Sequence, residues 1–132
     1  SGNSEFGISP IIKNQGENMC IFCKIVNKEI PSNIVLEDDN FLAFHDINPT
    51  RKIHVLVIPK SHYDSFEDTP SDIMSDLSSF IKKVTKELKI DKSGYRMITN
   101  IGNDGGQEVP HLHFHLIGGE KVGRLVRDKN DL

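Results

Sequence analysis

The stretch His111-Leu112-His113-Phe114-His115-Leu116-Ile117, closed by Gly118-Gly119, decides how this chain is read. Three histidines alternate with Leu112, Phe114 and Leu116. In an extended strand, successive side chains point to opposite faces. The three imidazoles then share one face, and the apolar residues pack into a core on the other. Same-face neighbours stand roughly 6.5–7 Å apart along a strand, which suits groups arrayed around a phosphate-sized ligand. A single buried histidine is usually structural, but three at alternate positions are hard to explain by packing. Neutral imidazole is a nucleophile, and an ordinary pKa of about 6.5 makes that form available at neutral pH. Attack on phosphorus would give a phosphoramidate-type covalent intermediate. A second histidine could then hold a proton or a positive charge beside the phosphate oxygens. Two other readings of the same residues are a zinc site of neutral histidines and an accidental surface stripe. The loop just upstream, Asn100-Ile101-Gly102-Asn103-Asp104-Gly105-Gly106-Gln107, favours the phosphate. Backbone N–H groups of such a loop can cradle an anion, whereas a site made only of metal ligands has no need of it.

Working outward, Ile53-His54-Val55-Leu56-Val57-Ile58 is apolar and β-branched and reads as a central strand. Ile34 to Glu37 and Phe41 to Ile47 read as a hairpin around the turn signal Asp38-Asp39-Asn40, and Tyr95 to Thr99 as a further strand. Ile21 to Ile30 has near-helical apolar spacing and stops before Pro31. The clearest helix spans residues 70–90, with Thr69 as its cap and Pro70 at its first position. Ile73, Leu77, Phe80, Ile81, Val84 and Leu88 fall on one face of it, which marks a packed amphipathic helix without chemistry. Strands joined by short turns, with one long helix, indicate an α+β fold built on an antiparallel sheet of about five strands.

The 132 residues suit a single domain. Residues 1–18 are rich in Gly, Ser and Asn and lack periodicity, so they read as a tag or loose tail, with Met19 as the natural start of a domain over 19–132. A net charge of −3 with scattered Lys and Arg argues against a nucleic-acid partner. No apolar run approaches a membrane span, and Ile8-Ser9-Pro10-Ile11-Ile12 is too short for a signal sequence, so a cytoplasmic protein is expected. The two cysteines, Cys20 and Cys23, are spaced for a metal or redox role rather than a structural disulfide. Two thiols do not complete a tetrahedral zinc site. No βαβ context supports a thioredoxin-like pair, and two reduced thiols without metal remain the simplest alternative.

The histidine stretch resembles the signature of the histidine-triad (HIT) nucleotide-binding family. The likeness extends to Cys20-Ile21-Phe22-Cys23-Lys24-Ile25 with Glu29-Ile30-Pro31, to Leu42-Ala43-Phe44-His45-Asp46-Ile47-Asn48-Pro49, and to His54-Val55-Leu56-Val57-Ile58-Pro59-Lys60. Asp104-Gly105-Gly106-Gln107 resembles the corresponding loop of the Hint branch. The resemblance covers roughly residues 20–119, and these motifs are specific when they occur together in this order. It implies a homodimer whose sheet continues across the interface. It also implies that the chain is a nucleoside phosphoramidase or nucleotidyl hydrolase. Such an enzyme releases a purine nucleoside monophosphate through a nucleotidyl-histidine intermediate.

The roles implied by that resemblance place the nucleophile at His113 and the phosphate pocket at His115 and His54. Asp46 and Ile47 match positions that hold ribose and base, and Asn100, Gly106 and Gln107 match loop positions near the phosphate. Family members that open with Cys-x-x-Cys can hold a structural zinc with two histidines. The matching set here is Cys20, Cys23, His62 and His111, and no cofactor is implied for catalysis. Glu108 departs from the pattern, standing where some Hint proteins carry a phosphate-contacting serine, and is expected to point away or to act through its backbone N–H. The tail after Gly119 lacks the Trp-Pro-Pro-Gly ending of animal Hint proteins, which leaves substrate choice open. Two other functions compete: a dinucleoside polyphosphate hydrolase of the Fhit type, against which the glycine loop argues, and a purine-nucleotide-binding module with incidental catalysis.

Overall fold

The computed structural model describes residues 20–124, so the expectation for residues 1–18 lies outside the described residues. The elements run α1 (Ile21–Val26), β1 (Ile34–Glu37), β2 (Phe41–His45), β3 (Ile53–Pro59), α2 (Ser71–Glu87), β4 (Tyr95–Ile98) and β5 (Phe114–Gly118), with a 3₁₀ turn at Phe66–Asp68 before α2. The five strands form a sheet in the order β1-β2-β3-β5-β4, with each neighbouring pair antiparallel. The fold is therefore the expected α+β arrangement, with the long helix on one face.

Alternation along the strands builds two cores. Phe41, Ala43, Val55, Val57, Phe114 and Leu116 face α2, which contributes Leu77, Phe80, Ile81 and Val84 at helical spacing. Leu42, Phe44, Leu56 and Ile58 face the other way, onto Phe22 and Ile25 of α1. Each Val, Leu, Ile or Phe among them contributes about 1.5–3 kcal/mol by leaving water. A one-residue slip of register would exchange the two faces and bury the histidines under α2, so the register is strongly specified.

Several local expectations are corrected. The first helix ends at Val26 rather than Ile30. Lys28 is left-handed at φ 64°, and the N–H groups of Lys28 and Glu29 return to the carbonyls of Ile25 and Lys24. That reversal closes the helix before Pro31 can act. Strand β2 ends at His45 rather than Ile47, because Asp46 turns the chain by accepting the N–H of Asn48 through Oδ1 at 2.8 Å. Pro70 is the flanking cap residue of α2 and not its first helical residue, and no side chain caps the helix. The Thr69 hydroxyl donates to the carbonyl of Ser65 at 2.8 Å instead. The ladder of β4 stops at Ile98, and the Thr99 hydroxyl donates to the carbonyl of His113 at 2.8 Å.

The most consequential correction concerns the histidines. Pairing of β5 with β3 begins at Phe114, opposite Val57. His111 and His113 therefore precede the ladder, held by N–H bonds from His111 to Val109 and from Leu112 to Tyr63. The face alternation survives: Leu112 is buried with the α2 core, and His111 and His113 meet Phe22 on the other side.

Candidate active site

Strands β3 and β5 lie side by side in the middle of the sheet, and this adjacency assembles the site. Leu56 stands opposite His115 and His54 opposite Ile117, so both histidines occupy the α1 face as diagonal neighbours. His54 Nε2 and His115 Nδ1 are 2.9 Å apart. The N–H of Thr50 points at His54 Nδ1 from 3.1 Å, so Nδ1 accepts. In the neutral ring the proton then sits on Nε2, which donates to His115 Nδ1. That bond in turn leaves the His115 proton on its own Nε2. A backbone amide thus sets the tautomers of two histidines in series. Asp46 Oδ2 lies 3.4 Å from His54 Nε2.

His113 takes the opposite tautomer. Its Nδ1 donates to the carbonyl of His111 at 2.8 Å, which leaves Nε2 with the free lone pair that a nucleophile needs. Its ring lies edge-on to Phe22, with centroids 5.0 Å apart, and 5.2 Å from the His115 ring. Burial is the main reason that His113 is held below the usual histidine range, with the charge of His111 acting in the same direction. His115 is lowered to about 4, first by burial and then by the charges of His113 and His54. Both rings are therefore neutral at physiological pH. The carboxylates of Asp46 and Glu108 oppose the shift at His113. The charge of Glu108 thus reaches His113, although its side chain is exposed.

The expected loop residues divide in their roles. Gly106 has φ 77°, a conformation that favours glycine. Asn100 is half-buried directly after Thr99. Gln107 is a strut of the loop: its Oε1 accepts the N–H of Gly102 at 2.9 Å, and its Nε2 donates to the carbonyls of Asp64 and Val109. Ile47 is 89% exposed beside half-buried Asp46.

The second constellation is the Cys/His cluster. Cys20, Cys23, His62 and His111 offer ligand atoms that all lie within 4.8 Å of one another. The two sulfurs are 3.2 Å apart, too far for a disulfide. His62 Nδ1 lies 3.2 Å from Cys23 Sγ, and His111 Nδ1 lies 3.3 Å from Cys20 Sγ. A zinc tetrahedron with ligand distances of about 2.0–2.3 Å has edges of roughly 3.3–3.8 Å, so the four donors fit the ion. Both rings are also correctly oriented. His111 Nε2 donates to the Pro59 carbonyl at 2.9 Å and His62 Nε2 to Asp64 Oδ1 at 2.8 Å, leaving each Nδ1 free to ligate. The Cys20 thiol is lowered, chiefly by its hydrogen bond with Cys23, and the Cys23 thiol is raised by the same bond. Asp46, His54 and His115 form another compact donor group. There His54 Nε2 and His115 Nδ1 are already joined by a hydrogen bond and His54 Nδ1 is taken by the Thr50 N–H, so the group reads as a pair that orients His115.

Thr50, Phe22 and Asp64 escaped the sequence reading. Thr50 acts through its backbone, which has no residue signature. Phe22 sits between the two cysteines and reads as ordinary core.

Comparison with known proteins agrees with this geometry. The family model of the HIT domain matches residues 27–122. This chain belongs to the HIT family. An uncharacterised HIT-like protein of Helicobacter pylori is 46% identical to this HIT protein over 103 residues, covering 78% of this chain and 99% of the relative. A further uncharacterised HIT-like protein, from Methanocaldococcus jannaschii, is 50% identical over 103 residues, covering 75% and 78% of the two chains. Among solved structures, a histidine triad protein from Clostridium difficile superposes with a TM-score of 0.78 at 50% identity, covering 83% of this chain and 98% of the other. A HIT family hydrolase from Clostridium thermocellum gives a TM-score of 0.78 at 42% identity, covering 86% and 100%.

Proposed function

We propose that this HIT protein is a nucleoside phosphoramidase or nucleotidyl hydrolase. One observation carries the reading: the opposed tautomers of neighbouring histidines, with a bare Nε2 on His113 and a donor on His115. That pairing provides a nucleophile and a proton donor within one ring-to-ring distance.

His113 Nε2 attacks the phosphorus of a nucleoside phosphoramidate. The P–N bond breaks, the electron pair leaves with the amine, and the amine takes a proton from His115 Nε2. His54 Nε2–H engages the lone pair of His115 Nδ1 throughout and keeps the His115 proton site on Nε2. Water then attacks the nucleotidyl-histidine and returns a proton to His115 Nε2 as the P–Nε2 bond breaks, and a nucleoside monophosphate departs. Asp46 holds the ribose hydroxyls, and Ile47 offers an exposed apolar side chain to a purine base. Asn100 and the amides around Gly106 face the phosphate.

A structural zinc is proposed at Cys20, Cys23, His62 and His111, where it would tie the N-terminal segment to the approach to β5. The ion takes no part in the chemistry. We also propose a homodimer formed along β4, an edge strand with exposed Tyr95 and Met97. No helix among the described residues is long and apolar enough to cross a membrane, and a cytoplasmic location is proposed.

The test is hydrolysis of adenosine phosphoramidate by wild type and by His113→Ala, compared with amine, polyphosphate and sulfate leaving groups on adenylate. Fastest turnover of the amine supports the reading. Exclusive turnover of a dinucleoside polyphosphate replaces it with the Fhit-type activity. Nucleotide binding without turnover of any of them leaves a binding module.

A further inference from the structure

Gln107 bridges two parts of the molecule that the proposed reaction leaves separate. Its carboxamide has one possible orientation, because the main-chain oxygens of Asp64 and Val109 require a donor and the N–H of Gly102 requires an acceptor. Asp64 in turn accepts from His62 Nε2 at 2.8 Å, and His62 Nδ1 is one of the four donors of the Cys/His cluster. A path thus runs from His62 to the Asp64 carboxylate, across Asp64 to its main-chain oxygen, and through the Gln107 carboxamide to Gly102, at the head of the glycine loop. The loop has little else to hold it. Residues 101–106 are all exposed, and its other backbone ties run from Gly106 to Asn103 and from Gln107 to Gly102. Segments with so few buried contacts sample several arrangements unless they are pinned.

We propose that Gln107 couples the metal cluster to the phosphate end of the nucleotide site. A zinc ion at Cys20, Cys23, His62 and His111 and a nucleoside monophosphate at His113 then strengthen each other's binding. The inference rests on the nucleotide and zinc reading above. An ion on His62 Nδ1 immobilises that ring, and its Nε2–H fixes the Asp64 carboxylate. The Asp64 carbonyl holds the Gln107 amide, and the amide holds the N–H of Gly102. An anion seated on the loop amides needs the same arrangement. The first ligand to bind bears the ordering cost, and the second finds the loop already set. Thermodynamic linkage makes the two enhancements equal. Gln107 is on this account a positioning residue that need not touch the nucleotide.

The probes are zinc alone and adenosine monophosphate. Zinc affinity is measured by competition with a chromophoric chelator, with and without saturating adenosine monophosphate. Nucleotide affinity is measured by calorimetry on zinc-loaded and zinc-stripped protein. Each enhancement should be about 5-fold or more and the same in both directions. Gln107→Glu keeps an acceptor for Gly102 and places an acceptor against two carbonyls, so it should bring the factor to about one. Asp64→Ala, at an exposed side chain, cuts the path at the other end and should do the same. It decides the matter if circular dichroism shows Gln107→Glu to be unfolded. A merely structural role for Gln107 would change both affinities without changing their ratio. Independent binding of the two ligands to wild type overturns the coupling, and an undiminished factor in the folded variants overturns the path. A wild type that binds no zinc, or no nucleotide, overturns the underlying reading and the coupling with it.

Discussion

His113 Nδ1 donates to the main-chain oxygen of His111 at 2.8 Å, and the His111 ring itself points its Nδ1 at Cys20 Sγ, 3.3 Å away. His113 therefore takes its tautomer from the backbone of a residue whose side chain belongs to the Cys/His cluster. Tautomer control by a main-chain atom survives any change of the His111 side chain that preserves the local backbone.

Replacing His113 by Ala should lower turnover of adenosine phosphoramidate by about 10³-fold or more. Nucleotide affinity should change little, because Leu112 and Phe114 keep the strand packed against α2. Steady-state kinetics beside a calorimetric titration checks both halves, and retention of most activity would remove His113 from the nucleophile role.

His54→Ala takes away the donor that faces His115 Nδ1 at 2.9 Å. The expected result is a fall in kcat of about 10²-fold with a smaller change in KM, since proton delivery is impaired more than binding. Nitrogen-15 spectra of the wild-type rings should show His54 and His115 protonated at Nε2 and His113 at Nδ1. The same tautomer at His113 and His115 would contradict the proposed division of labour.

Acid should weaken the fold in a defined window. His115 is lowered from 6.5 to about 4 in the folded chain, mainly by burial. Above pH 6.5 both the folded and the unfolded forms carry a neutral ring, and nothing is lost. Between 6.5 and about 4 the unfolded chain takes up the proton first, so stability falls as pH falls. The lowering of His113 adds in the same direction. Urea midpoints measured from about pH 7.5 down to about pH 4.5 should decline through this range. A flat profile would mean that these rings are no less basic than in the unfolded chain.

Freshly purified protein should carry about one zinc per chain, and chelation should lower the melting temperature by about 5 °C or more. The folded, chelated protein should keep appreciable hydrolysis at low temperature, because the proposed reaction has His113 attack phosphorus directly. Elemental analysis without zinc would leave Cys20 and Cys23 as plain thiols. Loss of chemistry without unfolding would make the ion catalytic.

A homodimer should be seen by light scattering at micromolar concentration. Met97, on edge strand β4, is 51% exposed and Tyr95 on the same strand is 37% exposed. Met97→Lys should shift the protein toward monomer, since a charge on an exposed edge opposes strand pairing. A monomeric wild type would assign that edge to something other than a second copy.

Which residues share a face is legible in local periodicity alone. Alternation in 111–117 and 53–58 separated the histidines from the α2 core, and the apolar period of Leu77, Phe80, Ile81 and Val84 marked the long helix. These are local patterns, and a strand or helix repeats them wherever it lies. Tertiary structure decided what they meet. The helix stop at left-handed Lys28 and the Thr69 hydroxyl turned to Ser65 are choices among competing local hydrogen bonds that residue type leaves open. Where β5 begins depends on how far β3 can pair with it. Spacing showed Cys20 and Cys23 as a half-site, and the resemblance alone suggested His62 and His111, which lie 42 and 91 residues beyond Cys20. Only the fold brings those donors together. The tautomers of His54 and His113 are set by a Thr50 N–H and a His111 carbonyl, backbone groups that every sequence supplies and only a particular register and turn can aim.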